Sequence, residues 1–215
     1  GVLNRVDAVL SGYQGAVEVG AVVLDAVELV KQRSQKAVYC CDPVMGDVGR
    51  GFFVRPGIPE FMRDRVVPKA QMVTPNHFEL DFLTGRETHT LDEVIDAAHA
   101  LRGVGPETVL VTSVAVDSTQ PDELAMLAVT GEGAWHVTTP RLDRGFTGSG
   151  DLTAAMFLAH YLRTESVAQA LGQTADIVYS VLKQTADSGL PELQLVAAQD
   201  EIVSPTYHFD VRQVR

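Results

Sequence analysis

TVLVTS, residues 108–113, is a nearly unbroken run of β-branched and apolar side chains. A strand with one wet face alternates polar and apolar residues, so this composition predicts a strand buried on both faces, as in a sheet covered by helices. The surrounding chain fits that reading. Residues 91–102 just before it have amphipathic helical spacing, and before them residues 71–73 form a strand halted by Thr74-Pro75, with a helix over 76–83. Further upstream, residues 6–10 are a strand ending at Ser11-Gly12-Tyr13, residues 17–30 a helix running into a polar stretch, and residues 37–41 a strand broken by Asp42-Pro43. A glycine-rich loop over 46–57 leads to a short helix around 59–65. Downstream, residues 124–130 and 135–139 read as an antiparallel pair around Gly131-Glu132-Gly133, followed by two helices over 152–162 and 167–186. Repeated strand–helix units predict an α/β fold, a three-layer sandwich whose mostly parallel central sheet has helices on both faces. Ligands of such folds bind at the carboxyl ends of the strands.

Composition narrows the class. A chain of 215 residues with 46% hydrophobic content can bury one substantial core, so residues 1–215 read as a single domain. No apolar stretch reaches membrane-spanning length before a charge interrupts it. The formal net charge of −11 argues against a nucleic-acid surface, but backbone amides can still hold a nucleotide's phosphates locally. Cys40 and Cys41 are adjacent, which disfavours a disulfide framework and points to strand packing in a reducing, cytosolic setting.

Gly148-Ser149-Gly150-Asp151, directly before the helical run 152–162, carries the clearest chemistry. Glycines let the backbone approach a ligand closely, and a helix start offers free N–H groups and a positive dipole end, together an anion site suited to phosphate. An aspartate in that turn can meet a substrate hydroxyl beside the phosphate, which suits phosphoryl transfer to an alcohol; a plain helix-start turn is the structural alternative. Asp42 and Asp47 flank Pro43-Val44-Met45-Gly46 after one strand, Asn76 and Glu79 share the first helical turn after another, and Thr112 and Ser113 end the buried strand. Oxygen donors at successive strand ends suit Mg²⁺. Singly, each has a structural reading: Asp42-Pro43 as a turn, Asn76 with Glu79 as a capping box.

Other chemistries are absent. There is no Gly-Lys dipeptide and so no Walker A loop, G-x-G-x-x-G does not occur, and Ser149 lacks the glycine that a nucleophile elbow requires two residues ahead. The six histidines have no metal-ligand spacing. Arg141 and Arg144, near the glycine turn, read equally well as phosphate helpers or as solvated loop residues.

VLSGY (9–13), CDPVMGD (41–47), TPNHFEL (74–80), LVTS (110–113), FTGSGDLTAAMFLAH (146–160) and ELQLVAAQDEI (192–202) together resemble the pyridoxal kinases of the ribokinase-like superfamily. The resemblance implies ATP-dependent phosphorylation of the 5′-hydroxymethyl group of pyridoxal, pyridoxine or pyridoxamine by a cytoplasmic homodimer; the alternatives are a kinase of hydroxymethylpyrimidine or another ribokinase-like small-molecule kinase, and second a non-catalytic nucleotide-binding protein. By motif matching, Asp151 is the catalytic base that aligns the hydroxyl, and Gly148, Ser149 and Gly150 form the anion hole. Asp47 and Glu79 would organise Mg²⁺, while Asp42 and Thr74 fit a monovalent cation, K⁺, near the ATP phosphates. Asn76, Thr112 and Ser113 would contact those phosphates. Thr139, Pro140, Arg141 and Leu142 lie where the family's nucleotide-contacting segment runs, and Tyr13 corresponds to an aromatic beside the pyridine ring. The family begins with a strand and a substrate-covering segment ahead of VLSGY, so an N-terminal part is expected to be absent from this chain.

Overall fold

Parallel strands and the helices between them build the first of two units of a computed structural model that describes residues 1–215. This unit holds residues 1–111 with 129–132. Strand β1 (Ala8–Ser11) leads to helix α1 (Val17–Arg33) and then to β2 (Val38–Cys41). A short antiparallel ladder follows, β3 (Gly46–Asp47) with β4 (Gly51–Phe52), so the stretch read as loop over 46–57 contains a hairpin. Gly46 is required there: a Cβ would lie 2.4 Å from the Phe78 ring and 2.9 Å from Gly51 O. Helix α2 (Ile58–Phe61) is shorter than the helix expected around 59–65. The chain continues through a π turn (Met62–Val66) and a 3₁₀ turn (Val67–Lys69), where Pro68 supplies no N–H for a helical ladder. Next come β5 (Met72–Val73), α3 (His77–Thr84), α4 (Leu91–Arg102) and β6 (Thr108–Val114), whose last three residues belong to the second unit.

The strands β1, β2, β5 and β6 pair in parallel in that order, with Ala8 opposite Val38, Cys40 opposite Met72 and Met72 opposite Thr108. Cys40, Cys41, Met72, Val73, Val109, Leu110 and Val111 are all buried, as strands covered on both faces require. Burial pushes the Cys41 thiol up to about 12 and raises that of Cys40 as well, so both act as small core side chains. Helix α4 matches its expected bounds because both ends are specified. Thr90 and Glu93 form a reciprocal capping box, and Gly103 stops the helix.

The second unit, residues 112–128 with 133–215, contains most of β7 (Glu123–Val129), β8 (Ala134–Pro140), α5 (Ser149–Thr164), α6 (Val167–Ser188), α7 (Gln199–Val203) and β9 (Arg212–Gln213). β8 lies between β7 and β9, and β9 is antiparallel to it with Trp135 opposite Gln213, so the strands are mixed in direction. Helices α5 and α6 share a core of Leu152, Ile177, Val178, Val181 and Ala198, flanked by Leu193 and Ile202. Helix α5 begins at Ser149, three residues before the expected start, because Gly148 can adopt the left-handed φ of 88° that opens it. No helix is long and apolar enough to cross a membrane.

Candidate active site

In the first unit the carboxyl ends of β2 and β5 bring polar residues together. Cys41 and Val73 are register partners, so Asp42 and Thr74 follow on neighbouring strands. Asp42 N–H donates to Ser11 O (2.8 Å) and Thr74 N–H to Cys41 O (3.1 Å). Both side chains are buried, and Thr74 Oγ1 has no hydrogen-bond partner.

Helix α3 starts from Asn76, whose Oδ1 accepts the Glu79 N–H (2.9 Å) while Glu79 Oε2 accepts the Asn76 N–H (2.9 Å). The capping-box reading is therefore realised. Glu79 does more than cap, since Met45 and Gly46 N–H groups donate to its Oε1 at 2.8 and 3.3 Å. Asn76 Nδ2 donates to Gly46 O (2.8 Å), tying the loop down from the other side. Burial pushes the Glu79 carboxyl up to about 7, against the pull of its amide donors and with the nearby Asp42 charge adding to the rise. The main chain at Met45 and Gly46 was not legible as a partner of Glu79, although the glycine in CDPVMGD was its one signal.

Two expected residues stand apart from this cluster in their contacts. Asp47 is exposed, with Oδ1 accepting its neighbour Val48 N–H at 2.8 Å. Tyr13 is also exposed. No three His, Cys, Asp or Glu side chains group to cage a metal by themselves. The donors present suit instead a hydrated cation that shares its ligands with phosphate oxygens, the habit of Mg²⁺. Thr74 Oγ1, buried with acceptor capacity unspent, suits a second cation.

In the second unit, Thr112 and Ser113 lie near the end of β6, and Ser113 takes a φ of 51°, unusual for a serine and informative at a strand end. Thr139 and Pro140 end β8; Thr139 Oγ1 donates to Leu124 O (3.4 Å), and Arg141 N–H donates to Asp122 O (2.7 Å) before Leu142. At the head of α5, Ser149 N–H and Oγ both donate to Phe146 O, at 3.3 and 2.9 Å. The first regular helical bond is Leu152 N–H to Gly148 O (3.0 Å). Gly150 and Asp151 are thus first-turn residues whose N–H groups have no partner within the helix, and Asp151 is exposed in that turn. The arrangement can hold an anion on amides next to a carboxylate.

A family model described as phosphomethylpyrimidine kinase matches residues 2–193. The chain is 53% identical to a pyridoxal kinase of Rubrobacter xylanophilus over 215 residues, covering all of this chain and 74% of that protein. It is 49% identical to a pyridoxal kinase of Leifsonia xyli, covering 99% of this chain and 75% of that one. Among solved structures, the pyridoxal kinase of Leishmania donovani in complex with ADP and pyridoxamine superposes with a TM-score of 0.84 at 26% identity, over 99% of this chain and 76% of its own. The family match over residues 2–193 and these identities over the full chain show that the chain belongs to the phosphomethylpyrimidine kinase family and, within it, to the pyridoxal kinases.

Proposed function

We propose that the chain works as one kinase domain that transfers the terminal phosphoryl group of ATP to the 5′-hydroxyl of pyridoxal, and also of pyridoxine and pyridoxamine, in vitamin B6 salvage. The observation that carries this reading is the head of α5, where a left-handed Gly148 opens a helix whose Gly150 and Asp151 N–H groups are unspent beside the Asp151 carboxylate. Relatives at 53% and 49% identity bear the name pyridoxal kinase.

In the proposed mechanism Asp151 orients the substrate hydroxyl and accepts its proton as the new O–P bond forms and the bond from phosphorus to the ADP oxygen breaks. Phosphoryl transfer through a loose transition state asks for orientation and charge stabilisation more than for a strong base. The amides of the Gly148–Asp151 turn meet the transferring group, and preorganised donors of that kind need no rearrangement during reaction. Thr112 and Ser113 contact phosphates; Asn76, expected to do so as well, is the N-cap of α3. Because Asn76 spends its side chain on Glu79 N–H and Gly46 O, its contribution beyond capping is to fix the loop. Thr139, Pro140, Arg141 and Leu142 border the nucleotide, and Tyr13 borders the pyridine ring. Glu79 and Asp47 would hold Mg²⁺ largely through water, and Asp42 with Thr74 a K⁺ ion. Such cations supply neutralisation of phosphate charge. The resemblance also carries the proposals of a cytoplasmic setting and a homodimer.

Phosphorylation of pyridoxal, pyridoxine, pyridoxamine and hydroxymethylpyrimidine, with and without Mg²⁺, tests the reading. We expect Mg²⁺-dependent product from the three vitamers and, for hydroxymethylpyrimidine, a kcat/KM lower by about tenfold or more, roughly 1.4 kcal/mol of discrimination. Preference for the pyrimidine, or no transfer to any vitamer, overturns it.

A further inference from the structure

Arg144 is bound up with the backbone that leads into the glycine turn. Its guanidinium donates to Leu190 O and lies over the Phe146 ring, 4.7 Å from the centroid. Phe146 in turn holds the turn, since its carbonyl accepts both Ser149 N–H and Ser149 Oγ–H. The segment that Arg144 grips is itself anchored. Gln194 N–H donates to Thr185 Oγ1 (3.1 Å), Gln184 Nε2 donates to Ala197 O (3.0 Å), and Leu193 packs in the α5–α6 core. Leu193 also backs the turn directly, at 3.3 Å from where a Cβ on Gly148 would sit. The turn therefore leans on the 190–193 segment at two points, one apolar at Leu193 and one through the Arg144 bridge.

We propose that Arg144 is a positioning residue for phosphoryl transfer: by joining Leu190 O to Phe146 it holds the Phe146–Gly148 backbone in the pose that presents the Gly150 and Asp151 amides to the terminal phosphoryl group. The proposal rests on the kinase reading above. Arg144 donates through Nη2 to Leu190 O and lays its face on Phe146, while its Nε is buried without a partner, so both of its contacts run to the turn and the segment behind it. A planar guanidinium serves both contacts at once, stacking and donating from one rigid group. Its loss affects the terminal phosphoryl group specifically, because ADP places nothing in the anion hole.

The test measures kcat, both KM values, and calorimetric affinity for ADP and for the non-hydrolysable analogue adenylyl imidodiphosphate, in the full protein and its variants. R144M keeps apolar cover on Phe146 but removes the donor and the charge. Its expected outcome is a kcat and an analogue affinity each lower by about tenfold, with ADP affinity and pyridoxal KM within about twofold. R144K, which keeps charge and a donor, should recover to within about threefold of the parent. F146L, which removes the ring and keeps the carbonyl, should show the same split between analogue and ADP, and provides an independent arm should R144M fold poorly. Unchanged kcat and analogue affinity in R144M overturn the proposal. Equal losses for ADP and analogue, or R144K no better than R144M, overturn it too. A parent protein that neither binds ADP nor phosphorylates a vitamer overturns the kinase reading and this proposal with it, whereas an active parent with an indifferent R144M overturns this proposal alone.

Discussion

Glu79 carries two duties on one carboxylate. It closes the cap of α3 and, through the Met45 and Gly46 amides, pins the CDPVMGD loop to the helix. A carboxyl raised from 4.5 to about 7 by burial binds its proton more tightly folded than unfolded. Its stabilising contribution is thus complete below the unfolded value and disappears as pH rises through about 7, a swing of roughly 3 kcal/mol. Glu79→Gln removes the titration. We expect the melting temperature of the ligand-free protein, relative to that of E79Q, to fall between about pH 5 and about pH 8. A constant or rising difference over that range contradicts the account. From sequence, Asn76 and Glu79 read either as a cap or as site residues. Their helical spacing shows the cap, whereas the long-range amides of Met45 and Gly46 that make Glu79 part of a loop clasp leave no local pattern. Ser113 was a candidate from its place at the strand end, but its backbone conformation was hidden: nothing in a serine announces a φ of 51°.

At the level of the element, legibility followed the strength of local signals. Helix α4 has a capping box at its start and a glycine at its stop, and its expected and observed bounds coincide. Strands β2, β5 and β6 stood out through continuous apolar composition. Helix α7 and strand β9 were not anticipated, because five residues and two residues are too short to show a period, and Arg212–Gln213 is exposed on an edge. Helix α5 was found but begun late, since Ser149 and Gly150 are weak helix formers that the Gly148 turn nevertheless recruits. That early start places Asp151 in the first turn, where the dipole favours a negative side chain. Gly148→Ala tests the element directly. A left-handed alanine costs about 1–2 kcal/mol, and its Cβ would press on Leu193 at 3.3 Å. We expect the variant to melt several degrees lower and its kcat to fall by about tenfold or more as the amides move. Lower melting with full turnover contradicts the role given to the turn.

For the molecule as a whole, a net charge of −11 makes the binding of a polyphosphate a local achievement. Long-range attraction does not favour ATP, so in the proposed site affinity would come from amides at a helix start, from hydroxyl and backbone groups at strand ends, and from cations bound with the nucleotide. The candidate phosphate-binding groups were legible as motifs, because glycines, caps and strand ends leave local patterns. Contacts to the pyridine ring are less legible: Tyr13, the one residue matched to them, is exposed and shows no contact that fixes its role. The chain spans about three quarters of the length of its pyridoxal kinase relatives. The central claim is that Asp151 steers the vitamin alcohol while neighbouring amides hold the phosphoryl group. Single-turnover formation of pyridoxal 5′-phosphate by Asp151→Ala, alongside calorimetric ATP affinity, tests it most directly. The account predicts a rate lower by about 10²-fold or more with ATP affinity within about threefold of the parent. A near-parental rate in that variant contradicts it.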